Sequence, residues 1–227
     1  MQLLTLMLSF LLLALTTPMV SAGTFVADHL PAGYKLGKMG FNGNIAGHEI
    51  SYNGTIEEIL AFAETRYPGI TKSLAARDDV PLDTTALDSP NLVTRNTEGW
   101  YYGGPQDGKG HRYCGNDCPL CPEWSYAFNY RIQEGISYLN KVKGTCNTDG
   151  HHCVRISCSW HSAIHLCNDM NEHVELPCNW VSTFANDIVT DPRCQDPENA
   201  RWDHDMSNGQ QWAGNRAYNV FVAWANC

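Results

Sequence analysis

Cys153-Val154-Arg155-Ile156-Ser157-Cys158-Ser159-Trp160-His161-Ser162-Ala163-Ile164-His165-Leu166-Cys167 is the stretch on which the fold turns. Val154, Ile156, Cys158, Trp160, Ser162, Ile164 and Leu166 hold the even positions, while Arg155, Ser157, Ser159, His161 and His165 hold odd ones. Successive strand side chains point to opposite faces, so period two predicts one half-buried strand, or two strands joined by a tight bend. Upstream, Trp124, Phe128, Ile132, Ile136, Leu139 and Val142 lie three or four apart and predict an amphipathic helix over Ser125–Lys141, weakened by Gly135. Downstream, Cys178, Val181, Phe184, Ala185 and Ile188 predict a helix that stops at Asp191-Pro192. Tyr218, Val220, Val222 and Trp224 then alternate into a last strand, closed by Cys227.

The first half reads differently. Thr55-Ile56-Glu57-Glu58 has the form of a capping box, and Ile56, Leu60, Ala63 and Tyr67 continue it as a helix until Pro68-Gly69. Pro68 to Gly99, rich in Thr, Asp, Pro and Asn, reads as a long surface loop or linker. The expected fold class is α+β, a small antiparallel sheet with helices packed on one face as an α/β-sandwich, braced by disulfides.

Residues Leu3 to Leu15 form an apolar run that is too short to span a bilayer, followed by Pro18 and Val20-Ser21-Ala22. This pattern predicts a signal peptide over 1–22, cleaved after Ala22. No later stretch is apolar enough to cross a membrane. Composition then separates a cysteine-free region, 23–112, from a cysteine-rich domain, 113–227. All ten cysteines lie in the latter: Cys114, Cys118, Cys121, Cys146, Cys153, Cys158, Cys167, Cys178, Cys194 and Cys227. An even count in an exported chain predicts disulfides, with a pairing that spacing alone leaves open. Asn53-Gly54-Thr55 is a glycosylation sequon, which makes Asn53 a candidate glycan acceptor.

The net charge of −9, with no cluster of cations, argues against a nucleic-acid partner. Cys114-x3-Cys118-x2-Cys121 with His151-His152-Cys153 is a rival zinc set, but it lacks a second Cys-x2-Cys pair. His161 and His165 are spaced i, i+4, yet no Glu follows His161, so they are expected to be an exposed structural pair. His204, between Asp203 and Asp205, is expected to sit in a solvated acidic loop. No Gly-x-Ser-x-Gly turn or phosphate loop is present, and the carboxylate pairs Glu172/Glu175 and Asp169/Glu172 are mere spacings. No catalytic residue, cofactor or metal is therefore expected. The seven Trp and ten Tyr leave room for a carbohydrate-binding surface.

Cys153-x4-Cys158-Ser159-Trp160-x-Ser162-Ala163-Ile164-x-Leu166-Cys167-Asn168-Asp169, followed by Cys178, Cys194, Gly209-Gln210 and Tyr218-Asn219-Val220 to Cys227, resembles small secreted cysteine-rich fungal proteins regarded as effector candidates. The order of elements also resembles the killer-toxin and necrosis-inducing effector fold. The resemblance covers residues 113 to 227. It implies an extracellular fungal effector or toxin-like protein that binds a host or competitor protein, or a cell-surface glycan, and so contributes to virulence or immune modulation. The alternative classes are a secreted hydrolase using His161, His165 and His204, and a cell-wall carbohydrate-binding module.

Overall fold

The computed structural model describes residue 30 and residues 33–75, 100–115, 125–196 and 205–227. The predicted signal peptide, most of the predicted linker, Cys118, Cys121 and His204 lie outside the described residues. In chain order the elements begin with β1 (Lys35–Lys38), β2 (Gly40–Ile45), β3 (His48–Asn53), α1 (Ile56–Arg66) and α2 (Ile70–Ala75). Next come β4 (Trp100–Tyr102), β5 (Lys109–Cys114), β6 (Ala127–Phe128), α3 (Asn129–Lys141) and β7 (Lys143–Thr148). The chain continues through β8 (His152–Ser159), β9 (Ser162–Asn168), β10 (His173–Pro177) and α4 (Cys178–Thr190), then β11 (Met206–Ser207), β12 (Gly209–Ala213) and β13 (Tyr218–Trp224). The class is α+β.

The strands form a six-stranded sheet in the order β1-β8-β9-β13-β12-β5, a five-stranded sheet in the order β3-β2-β7-β10-β4, and the short pair β11-β6. The expectation of one small antiparallel sheet is corrected in two respects. There are two large sheets, and each carries one parallel pair, β1 with β8 and β4 with β10. The physical reason is that the cysteine-free region supplies strands to both: β1 pairs with β8, and β2 pairs with β7. Strand β5 runs through position 112/113. Helix α4 touches strands of both sheets, including β13 and β7, so the helices do not share one face of one sheet.

The period-two stretch resolves into two strands. Trp160 and His161 form the bend with φ of 49° and 59°, the left-handed values that a tight two-residue hairpin requires. Strand β9 is buried along its whole length, not half-buried as predicted. Ile164 and Leu166 enter the main core, while Cys167 on the other face packs with Cys153, Phe221 and Ala223, with Tyr34 and Leu30 against them. His165 at an odd position imitates an exposed face, but a central strand covered on both sides buries it regardless.

Helix α1 begins as its capping box predicts: Glu58 N donates to Thr55 Oγ1 at 3.4 Å, and Thr55 N donates to Glu58 Oε2 at 2.9 Å. It ends at Arg66, but the linker does not follow at once. Gly69 N and Thr71 N donate to the Glu64 carboxylate at 2.7 and 3.0 Å, which starts α2, and Ile70 and Leu74 are buried. A cap lent by the preceding helix leaves no trace in the local pattern. Helix α3 starts four residues later than expected, because Ala127 and Phe128 pair with Ser207 and Met206. Gly135 is no mere weakness in that helix. A methyl group there would lie 2.2 Å from Ser157 Oγ, and Ser157 stands at a register irregularity that separates it from Arg155 in the β8–β9 pairing. Helix α4 and strand β13 form as predicted.

Four disulfides brace this framework: Cys114–Cys194, Cys146–Cys178, Cys153–Cys167 and Cys158–Cys227. No described cysteine is free. Among the described residues no helix is long and apolar enough to cross a membrane.

Candidate functional site

The bend between β8 and β9 carries the most conspicuous surface. Trp160 is 69% exposed, a large apolar group held in water at the tip of the hairpin. A bulky residue at positive φ costs about 1–2 kcal/mol relative to glycine, so a Trp-His tip is a strained choice where Asn-Gly would be cheap. His161 stacks on Trp224 with ring centroids 5.1 Å apart and planes 11° from parallel. Arg131, from the first turn of α3, lies over Trp160 at 5.0 Å and over Tyr130 at 4.7 Å. Its Nη1 donates to both carboxylate oxygens of Glu134, at 3.1 and 2.8 Å. Tyr130 is 52% exposed and Trp224 39%. Phe128 adjoins Tyr130, with ring centroids 5.7 Å apart.

This ledge is fixed from behind. Ala225 N donates to His161 O at 3.1 Å, and His161 Nδ1 lies 3.2 Å from Ala225 O. Phe128 N donates to Ser162 Oγ at 3.0 Å, tying the entry of α3 to the start of β9. The Cys158–Cys227 disulfide joins the strand before the bend to the last residue of the chain. On the inner side, the Glu57 carboxylate accepts from Ser157 Oγ at 2.5 Å and from Cys158 N at 3.1 Å. The rings are therefore ordered before any partner arrives, which lowers the entropy lost on binding.

A groove of about 330 Å³ lies between α1, α2 and α3, with Leu60, Ala61, Leu74 and Tyr138 among its walls. Its two carboxylates are already engaged, Glu57 as above and Glu64 with Gly69 and Thr71.

A third cluster is built around Asp107. Oδ1 accepts from Tyr101 Oη and from Asn215 Nδ2, and Oδ2 accepts from Tyr218 Oη at 3.1 Å and Gly104 N at 2.8 Å. Trp180 Nε1 donates to Tyr218 Oη at 2.8 Å. Burial, reinforced by the Asp107 charge, pushes both phenols above their usual range. A carboxylate with four donors has no lone pair directed at a substrate, so this arrangement ties loops together rather than moving protons.

The sequence-predicted candidates are dispersed. His161 belongs to the exposed ledge, but His165 is fully buried and stacked on Phe221 at 4.2 Å, which corrects the expectation of an exposed pair. Cys114, Cys194 and Asp191 come within ligand distance of one another. The two sulfurs are bonded to each other, and Asp191 accepts from Arg112 and Arg193 instead. Arg193 above all holds the Asp191 carboxyl well below the usual range. His151 and His152 contact Asn171 and Gly150. Glu175 accepts from Thr145, and Asp169 accepts from Asn219. Asn53 is exposed at the end of β3. The ledge itself was missed from sequence because Tyr130 and Arg131 are brought to Trp160 from a separate helix.

Asp169 has a measurable consequence. Burial raises its carboxyl from 3.8 to about 7, against the opposing effect of the Asn219 amide. The unfolded chain loses this proton near 3.8, whereas the folded chain keeps it to about 7. This contribution to stability is therefore full below the lower value and is lost as pH rises between the two. Urea midpoints measured at about pH 4 and about pH 8 should fall more steeply for the wild type than for Asp169→Asn. Equal slopes in the two proteins would defeat the assignment.

Compared with known protein families, with curated proteins and with solved structures, the chain finds no match.

Proposed function

We propose that the protein is a secreted fungal effector or toxin-like protein, without catalytic activity, that acts outside the cell by binding a host or competitor molecule. The observation that carries this reading is the ledge at the β8–β9 bend, where Trp160, Tyr130 and Trp224 are exposed yet ordered. Solvated aromatic and Arg side chains fixed in advance are the composition of binding hot spots. The disulfides and the absence of a spanning helix among the described residues are compatible with life outside the cell. The resemblance of residues 113 to 227 to effector candidates, with their killer-toxin-like α/β-sandwich, belongs to the same reading, as does a glycan on Asn53.

The test applies the secreted full chain to host tissue and to competitor cells, reading retention on the cell surface, cell death and immune output. Wild type should be retained and should alter at least one output. Trp160→Ala should reduce retention about tenfold, the equivalent of 1.4 kcal/mol. A wild type that is not retained and changes nothing would overturn the proposal.

A further inference from the structure

We infer that the ledge binds a β-1,4-linked pyranose chain, a glycan whose sugar rings all present flat C–H faces. The inference rests on the binding role proposed above and specifies its ligand. The first argument is the shape of the surface. Trp160 at the tip, and Trp224 at the end of β13 with His161 stacked on it at 11° between planes, supply flat aromatic faces beside one bend. An extended chain of flat rings can cover more than one such face at a time, and each contact removes apolar ring surface from water.

The second argument is the chemistry at the rim. Arg131 and Glu134 form a donor and acceptor pair beside Trp160, with the Glu134 side chain 45% exposed. Neighbouring sugar hydroxyls can each donate and accept, so they can complement both partners without bringing a charge. Other occupants fit less well. A nucleic acid also stacks bases on aromatic rings, but its phosphates would meet a chain of net charge −9. The anionic headgroups of a cytoplasmic-type lipid surface would meet the same net charge of −9, and a protein partner is the outcome that Trp160-dependent retention without hexaose binding would report.

The experiment titrates the secreted full chain with chitohexaose and with cellohexaose, following Trp fluorescence and calorimetric heat. The two arms distinguish N-acetylated from plain glucose rings. At least one hexaose should bind. Trp160→Ala and Trp224→Ala should each weaken it tenfold or more, and Arg131→Ala severalfold. Phe62→Ala, an exposed ring on α1 away from the ledge, should leave affinity unchanged. Circular dichroism and melting of each variant establish that it is folded. In parallel, retention on cell walls is compared before and after digestion of the wall with chitinase and endo-β-1,4-glucanase, which cut β-1,4-linked chains with and without N-acetyl groups. Binding of neither hexaose overturns the glycan assignment, and Trp160-dependent retention that survives digestion then leaves the binding role standing. No retention at all overturns both.

Discussion

Replacing Cys114 and Cys194 together by Ser is expected to lower the stability of the folded chain by about 4–5 kcal/mol, the largest effect of any disulfide described here. The bond closes a loop with a sequence separation of 80, and the entropy that a cross-link removes from the unfolded chain grows with loop length. Both cysteines are buried in the main core, so the variant must also place two hydroxyls among apolar neighbours. By the same reasoning Cys153/Cys167, with a separation of 14, should cost about 3 kcal/mol when both are replaced. Urea unfolding of the two double variants checks this order. In a domain of this size the larger loss corresponds to a fall in Tm of roughly 10–15 °C. A reversal, with the short loop mattering more, would sink the loop-entropy account.

The second large effect is expected at Asp107. Removing the carboxylate with Asp107→Ala leaves two phenols, one backbone N–H and one amide without their acceptor, and both phenols belong to buried residues. Each buried donor left unpaired costs about 1–3 kcal/mol, while the Asn215 end can turn to water, so a total of about 3–4 kcal/mol is expected. Asp107→Asn retains one acceptor oxygen and should lose about half as much. Tyr218→Phe removes one donor to Asp107 together with the acceptor for Trp180, and should be similar to the Asn variant. Thermal melts of the three variants would measure the series. An Ala variant no less stable than the Asn variant would show that the carboxylate is not the tie it resembles.

Much of the framework was legible in the residues. The capping box at Thr55 to Glu58 holds a helix start within four residues, so its hydrogen bonds are local and visible in sequence. The span of α4 and the alternation in β13 were equally plain, because each is a repeat set by its own backbone geometry. What misled was burial on both faces. In β9, His165 mimics a wet side, and only its stacking on Phe221, beside Ala223 and the Cys153–Cys167 bond, makes that side dry.

The residues alone determined the elements whose stabilising contacts lie within a turn or two of themselves, the even number of cysteines and the acidic charge that turns the chain away from nucleic acid. Tertiary structure alone decided which cysteines meet, how the cysteine-free strands enter both sheets, and that Arg131 of α3 comes to rest on Trp160. Local order follows from backbone geometry over a few residues, whereas those pairings join positions tens of residues apart, and only collapse around a shared core selects them.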